Sequence, residues 1–78
     1  MKNTVVIYST PSCHYCRMAK KLAEQRGCDV KYLTFGKDFQ REDMFETFPG
    51  ARTFPQIIFN GEKIGGYGSL VELLTDEE

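Results

Sequence analysis

The hydrophobic positions in the first half of the chain alternate between strand-like and helix-like patterns. The apolar run at residues 5–8 contains β-branched and aromatic residues and is typical of a strand buried on both faces. The segment from about His14 to Arg26 has helical periodicity, and Gly27 stands where a helix usually ends. Residues 30–34 predict a second strand, which pairs in parallel with the first because a helix separates them. The apolar side of that helix carries Tyr15, Met18, Ala19, Leu22 and Ala23.

The second half of the chain predicts a helix, a hairpin and a final helix. Asp38 is a candidate N-cap for the first of these helices, which should end at Pro49–Gly50. Asn60–Gly61 separates two strand-like runs, 56–59 and 62–64, and is a strong hairpin signal because both residues accept positive φ. Ser69 and Glu72 have the spacing of a capping box that opens the last helix. The aromatic residues expected in the core are Phe35, Phe39, Phe45, Phe48 and Phe59, with Met44 beside them, whereas Phe54 is expected to be partly exposed.

Composition and charge narrow the class of protein. A chain of 78 residues is expected to form a single domain, residues 1–78. The net charge of -1 gives no reason to expect nucleic-acid or membrane partners. Three cysteines do not make a complete secreted disulfide framework, and no signal peptide or membrane span is visible. We therefore expect a cytoplasmic monomer, with an acidic tail at residues 76–78 that is solvated.

Cys13 and Cys16 form the candidate reactive site. They lie between the first strand and the first helix, and two thiols one helical turn apart can alternate between dithiol and disulfide. The unpaired N–H groups at a helix N-terminus favour a thiolate at the first cysteine. A zinc site is disfavoured because Cys28 and His14 are poorly placed to complete a tetrahedron. Cys28 is interpreted as a packing thiol, and the basic residues Arg17, Lys20 and Lys21 as a solvated helix face with a modest effect on the thiolate.

The element order β-α-β-α-β-β-α, with C-x-x-C after the first strand, indicates a thioredoxin fold: a four-stranded mixed sheet flanked by three helices, in the α/β class. Three motifs then resemble those of the glutaredoxins, over residues 6–74. They are the dithiol site YSTPSCHYCRMAK at 8–20, the segment RTFPQI at 52–57, and IGGY at 64–67. The resemblance implies a thiol–disulfide oxidoreductase that uses glutathione as co-substrate and needs no metal.

The resemblance also implies roles for individual residues. Cys13 would be the nucleophile and Cys16 the resolving thiol. Pro55 would follow a cis peptide bond and, with Thr53 and Phe54, present backbone to the glutathione cysteine. The γ-glutamyl carboxylate would lie near Gly66, Tyr67, Gly68 and Ser69, with Tyr15 at the rim and Arg41 available for the glycine carboxylate. The glycines at 65 and 66 would let the chain pass close to the substrate.

The chain departs from the family pattern in three features. His14 stands where proline is usual, which is expected to change the redox poise. Thr10 replaces a basic residue, and Gly68 and Ser69 stand where an aspartate is usual; each lost ionic contact would cost roughly 1–3 kcal/mol, or up to about a hundredfold in affinity. Protein disulfides are the expected targets, and the resemblance implies ribonucleotide reductase as a natural partner. Two alternatives remain open: a redoxin recharged by thioredoxin reductase, and an iron–sulfur carrier or metal-binding module.

Overall fold

The computed structural model describes residues 2–51 and 53–75. The strands are β1 (Thr4–Ser9), β2 (Asp29–Thr34), β3 (Gln56–Phe59) and β4 (Glu62–Gly65), and the helices are α1 (His14–Gln25), α2 (Arg41–Thr47) and α3 (Tyr67–Thr75). The sheet order is β2-β1-β3-β4, with β1 parallel to β2 and the other two pairs antiparallel. The predicted element order and the mixed four-stranded sheet are confirmed.

The two faces of the sheet bury different clusters because successive residues of a strand point to opposite sides. One face packs under α1 and α3. The cluster between this face and the two helices contains Val5, Ile7, Ala19, Ala23, Ile57, Phe59, Leu70 and Leu74. The other face packs against α2 and the loop before it and contains Tyr8, Leu33, Phe39, Met44, Phe48, Phe54 and Ile58. The central strands β1 and β3 are therefore covered on both sides, as the apolar run in β1 predicts.

Two of the phenylalanines expected in the core are exposed. Phe45 is 64% exposed and Phe35 is 37% exposed, whereas Phe39, Phe48 and Phe59 are buried as predicted. Helix α2 has only seven residues; Met44 occupies its inward face, and Phe48, the C-cap residue after the helix, is buried beside it. Phe45 is one position further along the helix and so points about 100° away from that face.

The caps of α2 and α3 also differ from the prediction. Asp38 does not cap α2; its carboxylate accepts a hydrogen bond from the Thr34 amide at 2.8 Å and closes the turn after β2. Helix α2 begins at Arg41 after the N-cap Gln40, whose amide donates to the Asp43 carboxylate at 2.7 Å. Helix α3 begins at Tyr67, two residues before Ser69, so the Ser69–Glu72 pair lies inside the helix and does not open it.

The hairpin between β3 and β4 is confirmed. Asn60 has φ of 50° and Gly61 has φ of 84°, the left-handed backbone that both residues of a tight hairpin turn require. The predicted acidic tail lies outside the described residues. Within the described part of the chain, none of the helices combines the length and apolar character needed to traverse a bilayer.

Candidate active site

The strand pairing brings four chain segments to one edge of the sheet. The end of β1 leads into Cys13, and its Tyr8 pairs with Gln56 at the start of β3, directly after Pro55. Strand β2 runs parallel to β1, so Phe35 leaves the sheet at the same edge, and its amide donates to the Ser9 carbonyl at 2.8 Å. Strand β4 is antiparallel to β3, so its last residues and the start of α3 also arrive there. The three sequence motifs are thereby collected at one end of the molecule.

Cys13 is the N-cap residue of α1. It follows a turn in which the Cys13 amide donates to the Thr10 carbonyl at 3.3 Å, and its backbone is extended while the helix begins at His14. Cys13 is half-buried and Cys16 is fully buried. An incoming substrate therefore meets the sulfur of Cys13 before that of Cys16.

The two cysteines form a disulfide, with their Cα atoms 5.2 Å apart. The Cys16 amide donates a hydrogen bond to the Cys13 sulfur at 3.1 Å, so the N-cap side chain receives one of the N–H groups that the first turn leaves unpaired. After reduction of the disulfide, the same donor and the helix dipole favour a thiolate at Cys13. The geometry thus provides one accessible, activated sulfur and one shielded sulfur within bonding reach.

The basic side chains of α1 are all exposed, as expected for a solvated face. The ammonium group of Lys20 lies 5.1 Å from the centre of the Tyr32 ring on β2, a cation–π contact. Arg17 and Lys21 are exposed on the same helix.

The segment before β3 contains the expected cis peptide bond, between Phe54 and Pro55. Pro55 is buried and Phe54 is half-buried, as predicted. The Phe54 ring lies 6.4 Å from that of Phe35 and 6.3 Å from that of Phe39. The Gln56 side chain donates to the Thr53 carbonyl at 2.8 Å and fixes the turn that precedes the proline. Pairing of this backbone with a substrate stays a prediction.

The glycine pair at the end of β4 is required for conformation more than for space. Gly65 has φ of 106°, which disfavours any residue with a Cβ. A Cβ placed on Gly66 would lie 3.6 Å from the Pro55 carbonyl oxygen, an ordinary van der Waals distance. Gly65 thus provides the turn, Gly66 lies beside Pro55 at the start of α3, and the close approach of this segment to a substrate stays a prediction.

Three aromatic rings join the starts of α1 and α3. Tyr15 lies 5.7 Å from His14 and 5.7 Å from Tyr67, measured between ring centres. Tyr15 is 57% exposed, so its assignment to the apolar side of α1 is wrong, and the buried position of that turn belongs to Cys16. The rim position implied for Tyr15 agrees with this exposure.

A groove of about 590 Å³ lies between α2 and the segment before β3. Three residues implied in glutathione binding line it, namely Arg41, Thr53 and Phe54. No sequence motif marks the rest of the lining, which consists of Phe35, Met44, Phe45, Phe48, Gly50 and Ala51. One sequence signal could have indicated the groove: the region around α2 contains more large apolar residues than so short a helix can turn toward the core.

Cys28 lies immediately before β2, is half-buried and packs against the cluster under α1 and α3. This placement agrees with the packing role predicted for it. Among the described residues, the structure contains no group of three histidine, cysteine, aspartate or glutamate side chains arranged to hold a metal ion.

Comparisons of the sequence and of the structure with known proteins lead to the same family. A model of the glutaredoxin family matches residues 5–64. Human glutaredoxin-2, mitochondrial, is 44% identical over 69 residues, which cover 82% of this chain and 41% of the relative. The chain thus spans less than half the length of this relative and of its mouse counterpart.

Solved glutaredoxin structures share the fold. Glutaredoxin 1 from Francisella tularensis, complexed with cacodylate, superposes with a TM-score of 0.74 at 28% identity, covering 96% of this chain and 94% of that one. The buckwheat glutaredoxin–glutathione complex superposes with a TM-score of 0.77 at 28% identity, covering 96% and 71% respectively. These likenesses confirm the predicted thioredoxin fold. With the family match and the Cys13–Cys16 pair, they show that the chain belongs to the glutaredoxin family.

Proposed function

We propose that this chain is a dithiol glutaredoxin that reduces protein disulfides and glutathione mixed disulfides with electrons from glutathione. The observation that carries the proposal is the arrangement of the two cysteines. Cys13 is half-buried at the N-cap of α1, and its sulfur accepts a hydrogen bond from the Cys16 amide. Cys16 itself is fully buried. This arrangement assigns the nucleophile to Cys13 and the resolving thiol to Cys16.

The reductive half-reaction follows from these positions. The Cys13 thiolate attacks one sulfur of the target disulfide, the target S–S bond breaks, and the departing thiolate takes up a proton. The Cys16 thiolate then attacks the Cys13 sulfur and releases the second target thiolate. Two electrons pass to the target, and the Cys13–Cys16 disulfide that forms is the state the structure holds.

Two glutathione molecules would restore the dithiol. The first glutathione thiolate attacks the Cys13 sulfur and releases Cys16, and the second attacks the glutathione sulfur on Cys13. The products are glutathione disulfide and the Cys13–Cys16 dithiol, so the electrons balance. The buckwheat relative in complex with glutathione supports this choice of co-substrate.

The start of α3 supports a carboxylate site. The first intrahelical bond there runs from the Leu70 amide to the Gly66 carbonyl at 3.3 Å, so the N–H groups at 67–69 have no acceptor within the helix. Anions bind favourably at such a terminus. We assign the γ-glutamyl carboxylate of glutathione to Gly68 and Ser69 in this first turn, beside Gly66 and Tyr67.

The opposite end of glutathione would lie toward α2. Arg41 is exposed at the first position of α2 and lines the same groove as Thr53 and Phe54. It would bind the glycine carboxylate in place of the basic residue that the family usually has at the position of Thr10. Because an aspartate for the ammonium group is also missing, we expect weaker glutathione binding than a fully equipped site would give.

The electron donor is tested by reducing the oxidised protein with two systems in parallel. One contains glutathione and glutathione reductase, the other contains thioredoxin reductase, and both are followed by NADPH consumption. Turnover with glutathione is the expected result. Turnover with thioredoxin reductase alone would overturn glutathione dependence and would identify Thr10 and Gly68 as marks of a different donor. Ribonucleotide reductase as a target and the cytoplasm as the compartment stay predictions.

A further inference from the structure

The groove beside α2 has walls that are mostly apolar. The aromatic residues Phe35, Phe45, Phe48 and Phe54 line it together with Met44 and Ala51. Phe45 is 64% exposed and Phe35 is 37% exposed, although large aromatic side chains usually gain stability by burial. Exposed apolar groups gathered in one concave surface are typical of a binding site.

Glutathione does not account for this surface. It carries two carboxylates, an ammonium group and a thiol, and it has no large apolar side chain to fill an aromatic groove. Only Arg41, Thr53 and Phe54 are shared between the groove and the contacts proposed for glutathione. Glutathione therefore has no apolar group that could cover the exposed rings of Phe45 and Phe35.

The groove is continuous with the reactive edge of the sheet. Thr53 and Phe54 line it and lead directly into cis-linked Pro55, which lies beside Gly66 at the start of α3. Phe35 follows β2 at the edge where β1 leads to Cys13. An extended segment whose disulfide reaches Cys13 can thus place a neighbouring side chain in the groove.

The charge of the groove selects among such segments. Among the described lining residues, Arg41 is the only charged one, and no ion pair joins it to the described part of the chain. A carboxylate on the bound segment would be attracted to this cation, whereas a lysine would be repelled.

We propose that this groove is a docking site for protein substrates: it binds a large apolar side chain, with an acidic neighbour, on the extended segment that carries the target disulfide. The site rests on the proposed disulfide-reductase function and adds selectivity among its protein targets. Backbone pairing gives such a peptide its affinity, and the pocket for its side chain gives it specificity.

The test uses reduced protein in single-turnover reactions without glutathione. Each probe is a peptide with one cysteine in a mixed disulfide with 2-mercaptoethanol and a Phe-Asp pair two, three or four residues away on either side. Matched peptides contain Ser-Asp or Phe-Lys. Burial of much of a phenylalanine side chain predicts that the best Phe-Asp peptide reacts about tenfold faster than its Ser-Asp counterpart. It should also react faster than its Phe-Lys counterpart.

Phe45→Ala is the test variant, because Phe45 is exposed and its replacement should leave the fold intact. Leu73→Ala, at a 36%-exposed leucine on α3 outside the groove, is the matched control. Phe45→Ala should remove the preference for the Phe-Asp peptide, and Leu73→Ala should retain it. Both variants should reduce bis(2-hydroxyethyl) disulfide at the unmodified rate.

Equal rates for Phe-Asp and Ser-Asp peptides at every spacing, or a preference that survives in Phe45→Ala, would overturn the docking site. Equal rates for Phe-Asp and Phe-Lys peptides would overturn the role of Arg41 in it. Failure of the proposed function has a different signature, since the reduced protein would then react with neither the peptides nor bis(2-hydroxyethyl) disulfide.

Discussion

The hydrogen bond from the Cys16 amide to the Cys13 sulfur predicts how readily the reduced site ionises. The two atoms are 3.1 Å apart, and the donor lies in the first turn of α1, where its N–H has no carbonyl partner within the helix. Two substitutions separate this amide from the rest of the site. Cys16→Ala removes the second thiol and keeps the amide, whereas Cys16→Pro removes both. Proline is tolerated in the first turn of a helix, so the second variant should fold.

The expected effect follows from the strength of a hydrogen bond to an ion. Such a bond contributes about 1.5–3 kcal/mol, and about 1.4 kcal/mol corresponds to one pH unit in a titration. The bond stabilises the charged thiolate, so its removal should raise the pH at which Cys13 is half ionised. We predict that this pH is roughly 1–2 units higher in Cys16→Pro than in Cys16→Ala, toward the value of about 8.5 for an ordinary thiol.

The assay is the rate of iodoacetamide alkylation of Cys13 over a pH series. Mass spectrometry of the peptide that contains Cys13 separates this reaction from alkylation of Cys28. Circular dichroism and thermal unfolding establish that both variants are folded. If the two folded variants show the same pH midpoint, the Cys16 amide does not stabilise the thiolate and the reasoning is refuted.

Three further substitutions test the packing, the departure at position 14 and the hairpin. Leu70→Ala, at a fully buried side chain on α3, should lower the free energy of unfolding by about 2–5 kcal/mol in urea titrations, and Leu73→Ala on the same helix by clearly less; equal losses would contradict the assigned core. His14→Pro should keep the fold, because proline is favoured at the first helical position, and should change the reduction potential measured against glutathione. An unchanged potential would remove His14 from the account of redox poise. Gly61→Ala should lower the free energy of unfolding by roughly 1–2 kcal/mol in thermal unfolding, because a residue with a Cβ is strained at φ of 84°. No atom lies within 4 Å of the added methyl group, so the cost comes from the backbone alone, and an unchanged stability would mean that the turn relaxes.

Elements whose backbone is determined by local chemistry can be predicted from the sequence. The run at β1, the periodicity of α1 with Gly27 after it, and Asn60–Gly61 each place strong local constraints on the backbone, and all three predictions are confirmed. The meeting of the three motifs at one edge follows from the strand directions, which the element order already implies.

Side-chain orientation on short helices was harder to predict. Helix α2 has two turns, so a shift of one residue in its register decides whether Phe45 faces the sheet or solvent. The periodicity of so short a segment does not fix that register, and the burial of Phe45 was predicted wrongly. The groove was missed for the same reason, because it exists only when Phe45 and Phe35 stay outside the core.

The predicted helix caps are wrong where another turn or a tertiary contact determines where the helix begins. Asp38 has the composition of an N-cap but closes the turn after β2 through the Thr34 amide. Ser69 and Glu72 have capping-box spacing, yet α3 begins earlier because the glycine turn at Gly65 places Gly66 beside Pro55. The shift puts the amides of Gly68 and Ser69 in the first turn of α3, where the proposed carboxylate site needs them.

The division of labour between the two cysteines is the central claim. Its most direct test measures Cys13→Ser and Cys16→Ser in two assays, reduction of a glutathionylated peptide and reduction of a protein disulfide. The account predicts that Cys13→Ser loses both activities, and that Cys16→Ser reduces the glutathionylated peptide but not the protein disulfide. Retention of activity in Cys13→Ser, or loss of both activities in Cys16→Ser, would contradict it.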